Sequence, residues 1–316
     1  MEVLLYGCGA VGLGIAASIY DAGLSVDFVA KGRTKEAIRN NGIVRSGIFK
    51  EVKVSPEDIV IYEDLDEIKN KQYDYVLVCT KSTSNSEAAE NLKGHSHILK
   101  SHGKIVIFQN GWGNDEAFLQ YFSKNQIFSG RVITGFSRPE RYISEVTVHS
   151  SPVLIGSLHG EDIYPVSALA EAIDNGGIPC EITDDIEKAL WAKMLYNCTL
   201  NPLGAVLGVS YGKLTESENS IFIMDNIIEE IFKVMSAAGY HTYWQDAAAY
   251  KRVFYGELIP DTYRHRSSTL QDMERKIKTE IENLNASVVR LGSKYGIPVP
   301  YNTIIYNMIK AMESFF

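Results

Sequence analysis

The sequence predicts an α/β domain built on a parallel sheet, followed by an all-helical domain. Three observations carry this expectation. Short apolar runs alternate with helical patterns through the first half, a glycine-rich turn follows the first apolar run, and strand-type runs become rare after about Thr183. The apolar runs Val3–Tyr6, Val26–Ala30, Tyr75–Cys79 and Lys104–Phe108 read as buried strands. Helical patterns lie between them at about 10–22, 34–41 and 84–99. Residues 43–62 carry β-branched residues near Gly42 and Gly47 and read as a small antiparallel insertion. Residues 127–156 read as strands again, with Pro139 and Pro152 confining them to edges. Thr183-Asp184-Asp185 is a helix-start signal, so the expected boundary lies at about 182, with domains 1–182 and 183–316.

The chain has 316 residues, more than the roughly 250–300 that one core usually serves, which also favours two domains. Its formal net charge is -8, and no basic excess marks a nucleic-acid face. The four cysteines, Cys8, Cys79, Cys180 and Cys198, are far apart and form no CxxC pair. Free thiols in apolar surroundings suit a reducing cytoplasm. No charged n-region precedes an apolar run, so no signal peptide is expected, and no apolar run approaches the roughly 18 residues of a membrane span. His95, His97 and His102 cluster in sequence, but their surroundings read as the end of a surface helix rather than a metal site.

Gly7-Cys8-Gly9-Ala10-Val11-Gly12 is a GxGxxG motif placed after a strand and at the start of a small-residue helix. In that context it is the dinucleotide fingerprint of a Rossmann-type domain. Gly7 serves the tight turn, Gly9 the approach of the pyrophosphate, and Gly12 close helix–strand packing. The alternative is a glycine turn with no ligand. An NAD-binding chain usually places Asp or Glu after the second strand. Here Ala30-Lys31-Gly32-Arg33 stands there, and Asp27 lies too early. Lys31 and Arg33 therefore favour the 2′-phosphate of NADP(H), against the alternative of solvated loop charges.

In the second domain, Lys193, Asn197 and Asn201 recur every four residues on an otherwise apolar segment, 189–202, and so form one line along a helix. Leu190, Tyr196 and Leu200 crowd the line. Such a line suggests a ligand or a defined network, with a narrow exposed edge as the alternative. Pro202 is expected to end this helix. Farther on, Ser268 with Gln271, and Thr279 with Glu282, have capping-box spacing, and Gly292 reads as a C-terminal stop. The second box predicts a helix break between Glu274 and Thr279, with the Thr279 side chain accepting from the N–H of residue 281 or 282. The Tyr-rich segment 240–263 reads as core or subunit-interface packing rather than a ligand cage.

In this order, Gly7-x-Gly9-x-x-Gly12, Cys79-Thr80-Lys81, Gln109-Asn110-Gly111, Lys193-x-x-x-Asn197-x-x-x-Asn201-Pro202, and Ser267-Ser268-x-Leu270-Gln271-Asp272 followed by Thr279-Glu280-Ile281 resemble the ketopantoate reductase (2-dehydropantoate 2-reductase) family over nearly the full length. The resemblance implies NADPH-dependent reduction of a 2-keto acid, 2-dehydropantoate, to (R)-pantoate in pantothenate biosynthesis. By position it makes Lys193 the proton donor. Asn197, Asn201 and Ser268 become substrate contacts, and Lys81, Asn110 and Glu280 fall at the cofactor and active-site cleft. Gly7 to Gly12, Lys31 and Arg33 complete the cofactor set, and no metal is implied. Tyr211 and His265 stand where the family often has Asn, which bears on the exact substrate. The segment Glu274–Lys278 also lacks the Gly or Pro common there. The chemistry is coherent on its own terms. Hydride reaching a ketone carbon needs an acid at the oxygen, and a lysine desolvated among apolar neighbours can have its pKa lowered toward a useful value. Rival readings are an NADP-dependent dehydrogenase of another small hydroxy or keto acid, and a non-catalytic NADP(H)-binding sensor. The expected partners are a small keto acid, no nucleic acid and no membrane, with a homodimer through the helical domain left open.

Overall fold

The computed structural model describes residues 1–316 and divides into two compact units. One comprises Met1–Gln109 with Asn114–Ile186, the other Asn110–Gly113 with Glu187–Phe316.

The first unit carries twelve strands. β1 (Val3–Tyr6), β2 (Val26–Val29), β3 (Ile43–Gly47), β4 (Val52–Val54), β5 (Val60–Tyr62), β6 (Tyr73–Val78) and β7 (Leu99–Ile107) precede β8 (Ile127–Arg131), β9 (Thr134–Ser137), β10 (Ile143–His149), β11 (Val153–Gly156) and β12 (Cys180–Ile182). Eight of them form one sheet in the order β12-β11-β8-β7-β6-β1-β2-β5, parallel except for the β11/β8 pair. Helices α1 (Ala10–Asp21), α2 (Gly32–Asn41), α3 (Asn85–Gly94), α4 (Glu116–Leu119) and α5 (Ser167–Asn175) accompany it. Alternate residues supply the two faces: Val3 and Leu5 join one apolar cluster and Leu4 the other, as do Leu77 against Val76 and Val78. A second sheet, β4-β3-β10-β9, packs on α1. The Ser144 hydroxyl donates to Ala10 O at 2.7 Å, and a side chain on Gly14 would collide with Phe136.

Several expectations are corrected here. Residues 43–62 do contain an antiparallel pair, β3/β4, but β5 instead extends the parallel sheet beside β2. The helix expected to run to 99 stops at Gly94, and Leu99 already begins β7. Pro152 does not mark an edge, because it precedes β11, which lies between β8 and β12. A proline just before a strand removes no ladder bond, so the interior position is open to it.

The second unit is helical: α6 (Ile186–Leu207), α7 (Tyr211–Leu214), α8 (Glu218–Ala238), α9 (Ala247–Val253), α10 (Ile259–Asp261), α11 (Ser268–Glu274), α12 (Asn285–Tyr295) and α13 (Pro300–Glu313). Helices α8, α12 and α13 pack together around Ile227, Ile231, Val288 and Ile309, all fully buried. No helix is long and apolar enough to cross a membrane.

Pro202 does not end α6; it lies inside the helix. Lacking an N–H, it frees the carbonyl four residues earlier, Cys198 O, which takes the Asn285 side-chain amide at 3.0 Å instead. Gly292 likewise lies within α12, and the left-handed stop is Gly296 at φ 70°. A Cβ on Gly292 would press on Ile297 O at 2.8 Å, so packing rather than termination accounts for that glycine.

The break between Ser268 and Glu280 is present. α11 ends at Glu274, Lys276 adopts φ 54°, and Ile281 N donates to Thr279 Oγ1 at 3.3 Å. The return half of the box is not made by Glu282. Glu313 Oε1 takes the Thr279 N–H at 2.8 Å and its hydroxyl at 2.7 Å. Burial alone would raise the Glu313 carboxyl, but the Thr279 donors and Lys310 outweigh it and hold it below the usual carboxylate range. A depressed carboxylate contributes stability above its unfolded value that fades as pH falls. Glu313→Gln should therefore cost about 1–3 kcal/mol at neutral pH. In denaturant titrations the difference from the parent should shrink below about pH 4.3, the ordinary glutamate value. A difference that does not change with pH would mean that Glu313 acts by shape alone.

Candidate functional site

The glycine turn is built for two kinds of close approach. Gly7 has φ 112°, and a side chain there would strike the Thr80 backbone. Gly12 faces Gly7 O, with Leu5 Cδ1 and Cys79 Cβ each 3.0 Å from a notional Cβ. The protein itself therefore requires both of these glycines. Gly9 differs, because the nearest atom to a Cβ there is Cys79 O at 3.7 Å. Nothing internal demands its bareness, which suits an outside group lying against the backbone. Gly9 is also the N-cap of α1, with no side chain capping the helix and no acid in its first turn. The first-turn N–H groups at Ala10, Val11 and Gly12 thus suit a pyrophosphate, and the residues present fit a dinucleotide.

Lys31 is the N-cap of α2 and Arg33 lies in its first turn, both exposed. Asp27 is buried and already engaged by the Tyr73 hydroxyl at 2.7 Å and Lys71 at 2.8 Å, so it is no ribose ligand. Lys81 caps the short turn after β6, half-buried, following Cys79-Thr80.

In the second unit α6 brings Lys193, Asn197 and Asn201 onto one line. The exposed-edge alternative is excluded, since Lys193 is half-buried and Asn197 and Asn201 are only 9% and 4% exposed. The Lys193 ammonium donates to Asn110 Oδ1, and Asn110 Nδ2 donates to Glu280 Oε2 at 3.2 Å. Asn110 belongs to this unit because its loop is fastened there. Trp112 N donates to Asn283 O at 2.7 Å, and Ser287 Oγ to Trp112 O at 3.0 Å. The Trp112 ring packs on Trp191 and Tyr240, with centroids 4.8 Å away in each case. Gly111, at φ 101°, lies so close to Asn283 O that no Cβ would fit.

The Asn197 side chain makes no hydrogen bond within the protein, although the residue is only 9% exposed. The Tyr211 hydroxyl donates to Asn201 Oδ1, which leaves Asn201 Nδ2 as an outward donor. The His265 ring packs tilted on Tyr211 at 5.0 Å between centroids, its O accepts the Tyr211 N–H at 3.0 Å, and burial lowers its pKa. The two departures from the family pattern are thus one contiguous pair beside Asn201. Ser268 is not the cap of α11. Ser267 is, with its hydroxyl accepting from Leu270 N at 3.0 Å, and Ser268 is left exposed and free of that duty.

Two features escaped the sequence. Asn110 lies 83 residues from Lys193, and nothing local predicts that pairing. Arg138 and Arg141, over the first turn of α2, sit in a segment that read only as strands.

A glycine-turn sheet domain for a dinucleotide, joined in one chain to a helical unit bearing an amide-held lysine, defines a class: the nicotinamide-nucleotide-dependent oxidoreductases. Family models place the chain within that class. Residues 3–160 match ketopantoate reductase PanE/ApbA, and residues 185–313 match the C-terminal part of the same family. A 2-dehydropantoate 2-reductase of Aquifex aeolicus is 34% identical over 100% of this chain and 98% of its own. The crystal structure of a PanE/ApbA family ketopantoate reductase from Ralstonia eutropha superposes with TM-score 0.84 at 28% identity, covering 99% of each chain. A D-mandelate dehydrogenase bound to NADH and anilino(oxo)acetate shares the fold, at TM-score 0.85 and 21% identity over 99% of each chain. The chain belongs to the ketopantoate reductase family and is an NADP-dependent oxidoreductase.

Proposed function

We propose that the chain reduces 2-dehydropantoate to (R)-pantoate with NADPH, the reductive step of pantothenate biosynthesis, in the cytoplasm. The observation that carries this reading is the α6 line. A half-buried ammonium held by an amide stands one turn from Asn197, a buried amide with no protein partner. Such an amide can take a ligand without first giving up an internal hydrogen bond. When bound, the nicotinamide supplies hydride to the keto carbon. The carbonyl electron pair moves onto oxygen, and Lys193 Nζ gives that oxygen a proton and is reprotonated from water. Asn110 aims Lys193 and Glu280 fixes the Asn110 amide, so Glu280 and Asn110 together position the acid. Asn197, the Nδ2 of Asn201 and the Ser268 hydroxyl offer donors to the substrate, its carboxylate included.

Consumption of NADPH with 2-dehydropantoate, pyruvate, phenylglyoxylate and branched 2-keto acids tests the reading. 2-Dehydropantoate should give the highest kcat/KM. Preference for an aromatic keto acid would replace this substrate with one like that of the mandelate enzyme, and no turnover of any would favour a sensor.

On the cofactor side, Lys31 and Arg33 are read as partners of the 2′-phosphate, and Lys81 as a further cofactor contact. A charge-assisted bond is worth about 1.5–3 kcal/mol, or roughly 10- to 100-fold in affinity. Lys31→Ala should weaken NADPH by that factor and NADH hardly at all. Equal weakening of both would remove Lys31 from the phosphate.

A further inference from the structure

The turn between β9 and β10 carries Arg138 and Arg141. Arg138 Nη2 donates to Thr34 Oγ1 at 3.4 Å and to Arg141 O at 2.8 Å, and Arg141 Nη1 donates to the same Thr34 hydroxyl at 3.3 Å. Both guanidinium groups thus lie over the first turn of α2, the turn that Lys31 caps and Arg33 shares. The strands behind them are fastened to α1 through Ser144 on Ala10 O and Phe136 on Gly14, which holds the turn at the glycine-rich end of the sheet.

None of Lys31, Arg33, Arg138 and Arg141 has a carboxylate partner; neighbouring Glu140 pairs with none of them. Arg138 is half-buried, its Nε has no acceptor, and burial together with Arg141 disfavours its charge. A guanidinium stays protonated regardless, so its cost is met only by an anion. Arg45 shows the contrasting case. It is fully buried, its Nη donors reach Gly176 O, Lys50 O and the Ser18 hydroxyl, its Nε also lacks an acceptor, and the Asp21 carboxylate supplies negative charge nearby. All of these arginines rest on neutral oxygens, but Arg45 has the Asp21 carboxylate nearby, whereas Arg138 and Arg141 have only two further cations beside them.

We propose that Arg138 and Arg141 complete the 2′-phosphate subsite, closing over it from the second sheet while Lys31 and Arg33 approach from α2. The inference rests on the reading of the chain as an NADPH enzyme. A planar guanidinium fork matches phosphate oxygens, and Thr34 holds both forks in place before the ligand arrives.

Calorimetric titration of the full chain with 2′,5′-ADP and with 5′-AMP, which lacks the 2′-phosphate, tests it without turnover. The parent should bind 2′,5′-ADP more tightly. Arg138→Ala and Arg141→Ala should each weaken it by about 10- to 100-fold and leave 5′-AMP within about threefold. Arg138 also shapes its turn, so where Arg138→Ala lowers the melting temperature, the exposed Arg141 decides. If Lys31→Ala loses the preference while both arginine variants keep it, the inference is overturned and the NADPH reading stands. Equal weakening of both ligands also overturns it. A parent with no preference for 2′,5′-ADP would remove the NADPH reading itself, and the inference with it.

Discussion

Lys193→Ala should lower kcat by about 10²- to 10⁴-fold, the usual worth of a positioned general acid, while leaving NADPH affinity within about twofold. The separation is expected because Lys193 lies in the helical unit, whereas the glycine turn, Lys31 and the arginines of the β9/β10 turn lie in the sheet unit. The variant should also stay folded. Lys193 is half-buried, and Asn110 Oδ1, to which it donates, belongs to a side chain also tied to Glu280. Stopped-flow turnover, NADPH titration and a melting curve on the same preparation distinguish the outcomes. Near-normal turnover would end the acid assignment. A collapse in melting temperature with lost cofactor binding would make Lys193 a structural residue. Asn110→Ala should fall between parent and Lys193→Ala in kcat, since it leaves the acid in place but unaimed.

Much of the sheet unit could be read directly from its residues, because its signals are local. Alternation along β1 and β6 and the glycine turn after β1 each sit within a few residues of the structure they specify. The polar line of α6 was legible for the same reason: a spacing of four puts residues on one face whatever surrounds the helix. What failed depended on distant partners. Pro202 reads as a terminator locally, but Asn285, 87 residues beyond Cys198, supplies Cys198 O with the donor that the proline ring lacks. Thr279 and Glu282 have box spacing, yet Glu313 from the last helix takes the return bond. Gly292 is a packing glycine only because Ile297 and Val299 fold back on it. Arg138 and Arg141 sit in a segment that reads only as strands, and their place over Thr34 depends on β10 pairing with β9 and β3.

Glu230→Leu should destabilise the helical unit by about 3–5 kcal/mol, because it takes a charged acceptor, worth about 1.5–3 kcal/mol per bond, from three buried donors at once. Glu230 is 5% exposed, and its carboxylate accepts Tyr301 N at 2.9 Å, Asn302 N at 2.9 Å and Asn302 Nδ2 at 2.8 Å. It thereby satisfies the opening turn of α13 from across the core, where Pro300 provides no donor of its own. The loss should spread along the polar chain, because Asn302 Oδ1 accepts from Asn285 Nδ2 at 2.9 Å, and Asn285 is the group that fills the Cys198 carbonyl freed by Pro202. Cys198 adjoins Asn197, so the network supports the stretch of α6 on which the unpaired amide is presented. All three tryptophans, Trp112, Trp191 and Trp244, lie in the helical unit, so urea unfolding followed by their fluorescence reports on this unit alone. Glu230→Gln, which keeps the shape and one acceptor, should lose less, about 1–3 kcal/mol. A loss below about 1 kcal/mol for the leucine variant, the net worth of a single ordinary hydrogen bond, would show that the three donors find other acceptors. The carbonyl of Cys198 freed by Pro202 would then be satisfied by Asn285 without help from Glu230.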